Sequence, residues 1–246
     1  MKHFTLLFLV VLLLSFSKKN RKVNYKNESS VVLQLFTSQG CSSCPSADAF
    51  LEIVKNDFAD KNVLVLSYHV DYWNSLGWHD PFSKKEFTEL QYAYGKELKA
   101  DNIYTPQLIV NGKEHYVGSY KKTILKSIVE NLKHTSKNPI DFNIIKKTGS
   151  EILISYTVDG NLIDKKLQFT LVVENKITKV KRGENTNRTI SNSNIVIATT
   201  SKKIKSKNGT VLIKIPDAYL NDKNLRLIGF VENKQLQISG AAQVKV

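Results

Sequence analysis

Cys41 and Cys44 are the only two cysteines in a chain of 246 residues, and Ser42-Ser43 alone separates them. Random placement of two residues in a chain this long gives that spacing only ~1% of the time. Two thiols three residues apart can close a disulfide and reopen it, which is the chemistry of a dithiol that exchanges electrons with other thiols. Pro45 follows directly, and it fits the first turn of a helix, where its missing N–H has no partner to lose. At such a place Cys41 faces unsatisfied backbone N–H groups and the positive end of the helix dipole. Both favour thiolate, so Cys41 is the expected nucleophile and Cys44, one turn on and expected to be less exposed, the resolving thiol. The competing reading is a structural staple, although so short a loop removes little chain entropy.

Two further segments bear on that chemistry. Thr105-Pro106 immediately precedes an apolar run, and residues 69–82 hold both tryptophans of the chain, Trp73 and Trp78, with His69, His79, Asp71 and Asp80. One reading makes this segment a lid or groove beside the dithiol, with Trp73 and Trp78 touching the substrate. The other has the aromatics covering a sheet edge while His and Asp satisfy each other. Soft thiolates also select Cu(I), so Cys41 and Cys44 with His69 or His79 offer a copper-handling alternative. A non-enzymatic adaptor with a structural disulfide is the third class.

The elements that must position these residues follow from periodicity. Val31 to Thr37 reads as a buried strand, and Ala47, Phe50, Leu51, Val54 and Phe58 follow at helical spacing between the polar Asp48, Glu52 and Lys55. Val63 to Val70 is a second strand, and Phe87, Leu90, Tyr94 and Leu98 form a second helical stripe. Gln107 to Val110 and His115 to Val117 flank the tight turn Asn111-Gly112, after which Ser119 is the expected cap of a third helix. This order, with the cysteines between the first strand and first helix, resembles a minimal thioredoxin fold over residues 31–138. That resemblance implies a cis Pro106 opposite the dithiol and a Thr105 backbone offered to a bound substrate. From residue 139 to 246 short alternating runs such as Ile152–Val158, Leu167–Val173, Ile195–Ala198, Val211–Ile215 and Leu225–Phe230 predict an all-β, sandwich-like domain.

Composition sets the outer limits. With 41% apolar, 24% charged and 9% aromatic residues the chain holds enough apolar surface for a buried core, and two cysteines exclude a disulfide-dense scaffold or a four-cysteine metal site. The net charge of +14 divides as +5 over residues 1–30, zero over 31–139 and +9 over 140–246. Lysines scattered through residues 140–246 without aromatic interleaving read as a solvated surface, so no nucleic-acid partner is expected. Residues 1–17 have a basic start, an apolar run over Phe4–Leu14 and small residues at Ser15 and Ser17. That is the layout of a secretory signal peptide, followed by a basic linker over 18–30, and it predicts a secreted or periplasmic protein with no membrane span in its mature part.

At motif level the likeness is closer. Phe36-Thr37-Ser38-Gln39-Gly40-Cys41-Ser42-Ser43-Cys44-Pro45, the His69-to-Phe82 segment, Tyr104-Thr105-Pro106-Gln107, Val110-Asn111-Gly112, and Arg182-Gly183-Glu184-Asn185 with Arg188-Thr189 resemble a bacterial secreted family called domain of unknown function 1223. Ser46 and Asn187 depart from the proline and glycine expected there. The resemblance implies a thioredoxin-like domain followed by a β-domain outside the cytoplasm. For the Arg182–Arg188 cluster two readings stand: a loop packed on the first domain, or an internal Arg–Glu pair that fixes a loop between strands, the latter preferred. The expected activity is thiol–disulfide exchange with protein or small thiols and with a redox partner, with no cofactor beyond the disulfide itself.

Overall fold

A computed structural model describes residues 29–246, so the expected signal peptide and most of the basic linker lie outside the described residues. Strand β1 (Val31–Thr37) is buried along its whole length, as is β2 (Val63–His69). Continuous apolar runs of this kind are what a strand covered on both faces requires. The two pair in parallel from Val31↔Val63 to Thr37↔His69, and helix α1 (Pro45–Asp57) makes the crossover. A single 3-10 turn (Asn74–Leu76) precedes α2 (Lys85–Glu97). The hairpin β3 (Gln107–Val110) and β4 (Glu114–Val117) then joins the other side of β1, and α3 (Lys121–Asn131) follows. Its turn has three residues, Asn111 and Gly112 at φ of 50° and 65° and then Lys113. Tyr120, not Ser119, stands at the N-cap position of α3, without a side-chain cap.

The second half supplies β5 (Ile140–Thr148), β6 (Glu151–Val158), β7 (Lys166–Lys179), β8 (Thr189–Lys203), β9 (Asn208–Lys214), β10 (Leu225–Glu232) and β11 (Ile238–Lys245). Three of them form a separate sheet in the order β5-β6-β9. The other four extend the first sheet into an eight-stranded mixed sheet, β11-β10-β7-β8-β2-β1-β3-β4. Both halves of the chain therefore share one sheet.

The seam between halves is β2 against β8, and it is thin. One parallel bridge, Ser67↔Ile195, is supplemented by the Ser67 hydroxyl donating to Ser193 O at 2.8 Å and Asn194 Nδ2 donating to Val65 O at 3.0 Å. On one face of the sheet α1 and α3 bury Phe50, Leu51, Val54, Ile124 and Ile128 against Leu33, Leu35 and Val65. Each such side chain is worth about 1.5–3 kcal/mol when fully withdrawn from water. On the same face further along, the small sheet packs Ile152, Ile154 and Val158 against Phe169, Leu171 and Leu227, forming a two-layer β unit. On the opposite face the long sheet curls over itself, so that Phe230, Ile238 and Ala241 share a core with Phe36, Leu64, Tyr68 and the α2 residues Phe87 and Tyr94. Backbone and side-chain bonds pin this closure: Ile238 N–H to Asn111 O at 2.9 Å, and Asn62 Nδ2 to Ala241 O at 2.9 Å.

Candidate functional site: a buried disulfide between the two halves

Residues 38–44 link β1 to α1, and within them Cys41 and Cys44 are joined as a disulfide with Cα atoms 5.5 Å apart. The backbone turns tightly, with Cys41 N–H donating to Ser38 O at 3.2 Å and Cys44 N–H to Cys41 O at 3.3 Å. Cys44 then occupies the N-cap position of α1, with Pro45 in the first turn and no side-chain cap. Asp48 N–H donates to Cys44 O at 3.1 Å, so the carboxyl of Asp48 stands one helical turn from Cys44 on the same face. The expected difference in exposure between the cysteines is not found, since both are at 0%. Ser42 and Ser43 between them are exposed.

Two segments cover the pair. From the first half, Trp73 packs its Cβ against Gly40 and donates from Nε1 to Thr105 Oγ1 at 2.8 Å. Trp78 Nε1 donates to Gln39 Oε1 at 3.3 Å. The Thr105–Pro106 peptide is cis, and Gly118 has no side chain where one would crowd Ala47 of α1, Leu35 and Pro106. Trp73 and Trp78 thus meet Gly40 and Gln39, and Thr105 joins them through Trp73.

From the second half, the loop between β7 and β8 reaches the same place. Asn185, itself fully buried, donates from Nδ2 to Cys41 O at 2.8 Å and to Gln39 O at 3.0 Å, and its Oδ1 accepts from Arg188 at 2.7 Å. Glu184 Oε2 accepts the Ser42 N–H at 3.1 Å. The Arg–Glu pair preferred from sequence gives way to this arrangement, because the Glu184 carboxylate turns to an unsatisfied N–H at the start of a helix, where negative charge is favoured. Asn187 has φ of 65°, a left-handed conformation that Asn tolerates and glycine adopts freely. Gly183, at φ of 73°, lets the loop approach Leu76 and Trp78 closely.

A polar cluster lies inside this cover. His69 Nδ1 and Asp80 Oδ2 are 2.7 Å apart and both side chains are fully buried. The same Asp80 oxygen accepts Gln39 N–H at 2.7 Å, and Gln39 Nε2 donates to Asn192 Oδ1 at 2.9 Å. Asp48 Oδ2 accepts from the Thr37 hydroxyl at 3.0 Å. Among the described residues Asp48 Oδ1, His69 Nε2 and Asn192 Nδ2 have no hydrogen-bond partner, an uncommon state for buried polar atoms. Burial pushes the Asp48 carboxyl up to about 6, against the pull of His69 and the Thr37 hydroxyl. Burial also opposes charge on His69 and on Asp80, but each holds the other's charged form, so His69 is raised and Asp80 lowered from their ordinary values.

His79 is exposed and His69 is committed to Asp80 through Nδ1. Among the described residues no group of three or more His, Cys, Asp and Glu is placed to hold a metal ion. The periodicity reading put Asp48 on the polar side of α1, whereas its side chain is buried beside Thr37. Its spacing of four from Cys44 was the available signal. Asn185 stood in the 182–188 cluster, for which packing on the first half was one of the two readings, but neither it nor Gln39 and Asn192 disclosed a partner, because the partners are remote in sequence.

The fold and site define a mixed α/β protein whose only cysteine pair lies under a loop from its β-rich half. The chain belongs to the family described as protein of unknown function (DUF1223), whose model matches residues 32–232. A crystal structure of a protein from Agrobacterium tumefaciens is 29% identical, with a TM-score of 0.65, covering 88% of this chain and 95% of that one. A domain of the outer membrane lipoprotein Omp28 from Porphyromonas gingivalis is 15% identical, with a TM-score of 0.22 over 45% of this chain and 88% of that one. No curated protein matches the sequence. Among the described residues no helix is long and apolar enough to cross a membrane.

Proposed function

We propose that this chain is an extracytoplasmic thiol–disulfide oxidoreductase that works through Cys41 and Cys44 on a thioredoxin-like unit over residues 31–138. The observation that carries the proposal is the disulfide itself, made by the chain's only cysteines at the N-terminus of α1. The strand order β2-β1-β3-β4 with α1 as a parallel crossover supports the thioredoxin-like reading. The N-terminal sequence supports export to a compartment where disulfides persist.

In the oxidising direction a substrate thiolate attacks Cys41 Sγ, the Cys41–Cys44 bond breaks, and Cys44 leaves with the electron pair and takes a proton. A second thiolate of the same substrate then attacks the substrate sulfur of the mixed disulfide and releases Cys41. The substrate dithiol loses two electrons to the cysteine pair, and the reverse sequence reduces a substrate disulfide. Asp48 is the group suited to exchange the Cys44 proton, being buried, one turn away, with a carboxyl pushed up to about 6 by burial.

Burial of both sulfurs favours a second reading, a structural disulfide in a partner-binding protein. Equilibration of the folded chain against glutathione buffers, with trapping of free thiols, separates the two. A reversible couple above about −280 mV supports the oxidoreductase, and a value well below about −300 mV without exchange supports the staple.

A further inference from the structure

Thiol–disulfide exchange requires an attacking sulfur to approach along the S–S axis. Cys41 and Cys44 are both at 0% exposure, so part of their cover must leave before any substrate reacts. The two covering segments differ in how they are held. The 69–82 segment is tied into the core by the buried His69–Asp80 pair, by Thr88 Oγ1 donating to Asp71 at 2.6 Å and by Trp73 on Thr105.

The 182–188 loop is closed on itself. Thr186 Oγ1 donates to Gly183 O at 2.6 Å, Arg188 N–H to Asn185 O at 3.1 Å and Asn187 N–H to Val180 O at 2.9 Å. It can therefore move as a preformed unit. Its hydrogen bonds to the cysteine loop are the Glu184 bond to Ser42 N–H and the two Asn185 bonds to Gln39 O and Cys41 O.

These contacts have a chemical pattern. On either side of Cys41 the loop offers one amide donor group to backbone carbonyls and one acceptor to a backbone N–H. An extended polypeptide offers the same set from its own N–H and C=O groups, as in strand addition. A small thiol has no row of such groups. We infer that Glu184 and Asn185 determine which thiols reach the disulfide: they stand in for the backbone of an extended protein segment, and a polypeptide thiol enters by replacing them. Ser42 and Ser43 are exposed, so the segment between the two cysteines is itself reachable from solvent while the sulfurs are not.

This inference rests on the oxidoreductase reading, and one experiment separates their failures. The full folded chain is reduced by dithiothreitol, and separately by an unstructured peptide carrying two thiols, with the free cysteines counted by alkylation over time. Glu184→Ala, which alters an exposed side chain, and Asn185→Ala are compared with the parent. Expected is a rate with dithiothreitol raised about two- to tenfold, the worth of one net hydrogen bond in the opening equilibrium. The peptide rate changes less, so the preference for the peptide narrows. A reversible couple with dithiothreitol rates unchanged in both variants overturns this inference alone. No exchange in the parent or either variant overturns both readings.

Discussion

His69 Nδ1 and Asp80 Oδ2 meet at 2.7 Å with neither side chain exposed, which places a charge-bearing pair inside the core a few residues from the disulfide loop. Asp80 also accepts the Gln39 and Phe82 N–H groups at 2.7 and 2.9 Å. Asp80→Ala strips three donors of their acceptor at once, and breaking a buried pair this way costs about 3–5 kcal/mol. Urea unfolding of the variant is expected to show a loss in that range. A loss below about 1 kcal/mol would mean that the pair carries little of the fold.

Asp48 gives the protein a pH-dependent stability. Its carboxyl rises from 3.8 to about 6 on folding, so the folded chain binds the proton more tightly than the unfolded one. The stabilisation is complete below the unfolded value of 3.8 and is lost as pH rises through about 6. A shift of this size corresponds to roughly 3 kcal/mol. His69, whose value is raised from 6.5, contributes with the same sign at higher pH. Asp48→Asn keeps an acceptor for the Thr37 hydroxyl and removes the titration. Urea midpoints measured from pH 4 to 7 should fall for the parent and fall less for the variant, in which His69 and the raised Glu232 still titrate, and parallel profiles would clear Asp48 of the effect.

The Trp73 indole N–H on Thr105 Oγ1 ties the aromatic segment to the start of β3. Trp73→Phe keeps most of the ring and removes the donor, for an expected cost of about 1 kcal/mol. Thr105→Val should cost a similar amount. In thermal melts the double variant should lose no more than the larger single loss, because the two changes remove one bond. Full additivity would show that each residue stabilises the protein by other contacts.

Closure of the long sheet makes the two halves interdependent. A Cβ added at Gly240 in β11 would lie 1.8 Å from Asn138 O, a backbone atom that cannot move aside cheaply. Gly240→Ala should therefore destabilise by more than about 2 kcal/mol. Both tryptophans lie in the first half. Their fluorescence and the far-ultraviolet circular dichroism of the whole chain should nonetheless report one coincident transition in parent and variant. Separate transitions would show that the seam at β2 and β8 does not couple the halves.

How much the sequence disclosed depends on the range of the interaction. Strand β1, helix α1 and the Asn111-Gly112 turn were legible because period and turn chemistry are local. The inner parts of β7 and β8 were legible for the same reason, but their outer ends, such as Asn175–Lys179, have three of five residues exposed and only Ile177 apolar, which makes no apolar pattern. Strands β5 and β11 escaped because β5 is polar beyond Ile145 and β11 carries Gly240, Ala241 and Ala242 where larger apolar residues mark a strand. At the site the cysteine pair was plain from spacing alone. Glu184 on Ser42 spans 142 residues: the polar cluster of 182–188 suggested a loop packed on the first half as one reading, but nothing local to it named Ser42 as the partner.

The shared sheet also bears on how the gene can be cut. Strand β2 is an interior strand because β8 lies beside it, and all seven of its residues are buried. Expression of residues 31–138 alone would turn it into a bare apolar edge, the surface on which separate chains join strand to strand. The cysteine-bearing half is therefore not a transplantable module, and its solubility is supplied by sequence that begins more than fifty residues after it ends, at Thr189 of β8.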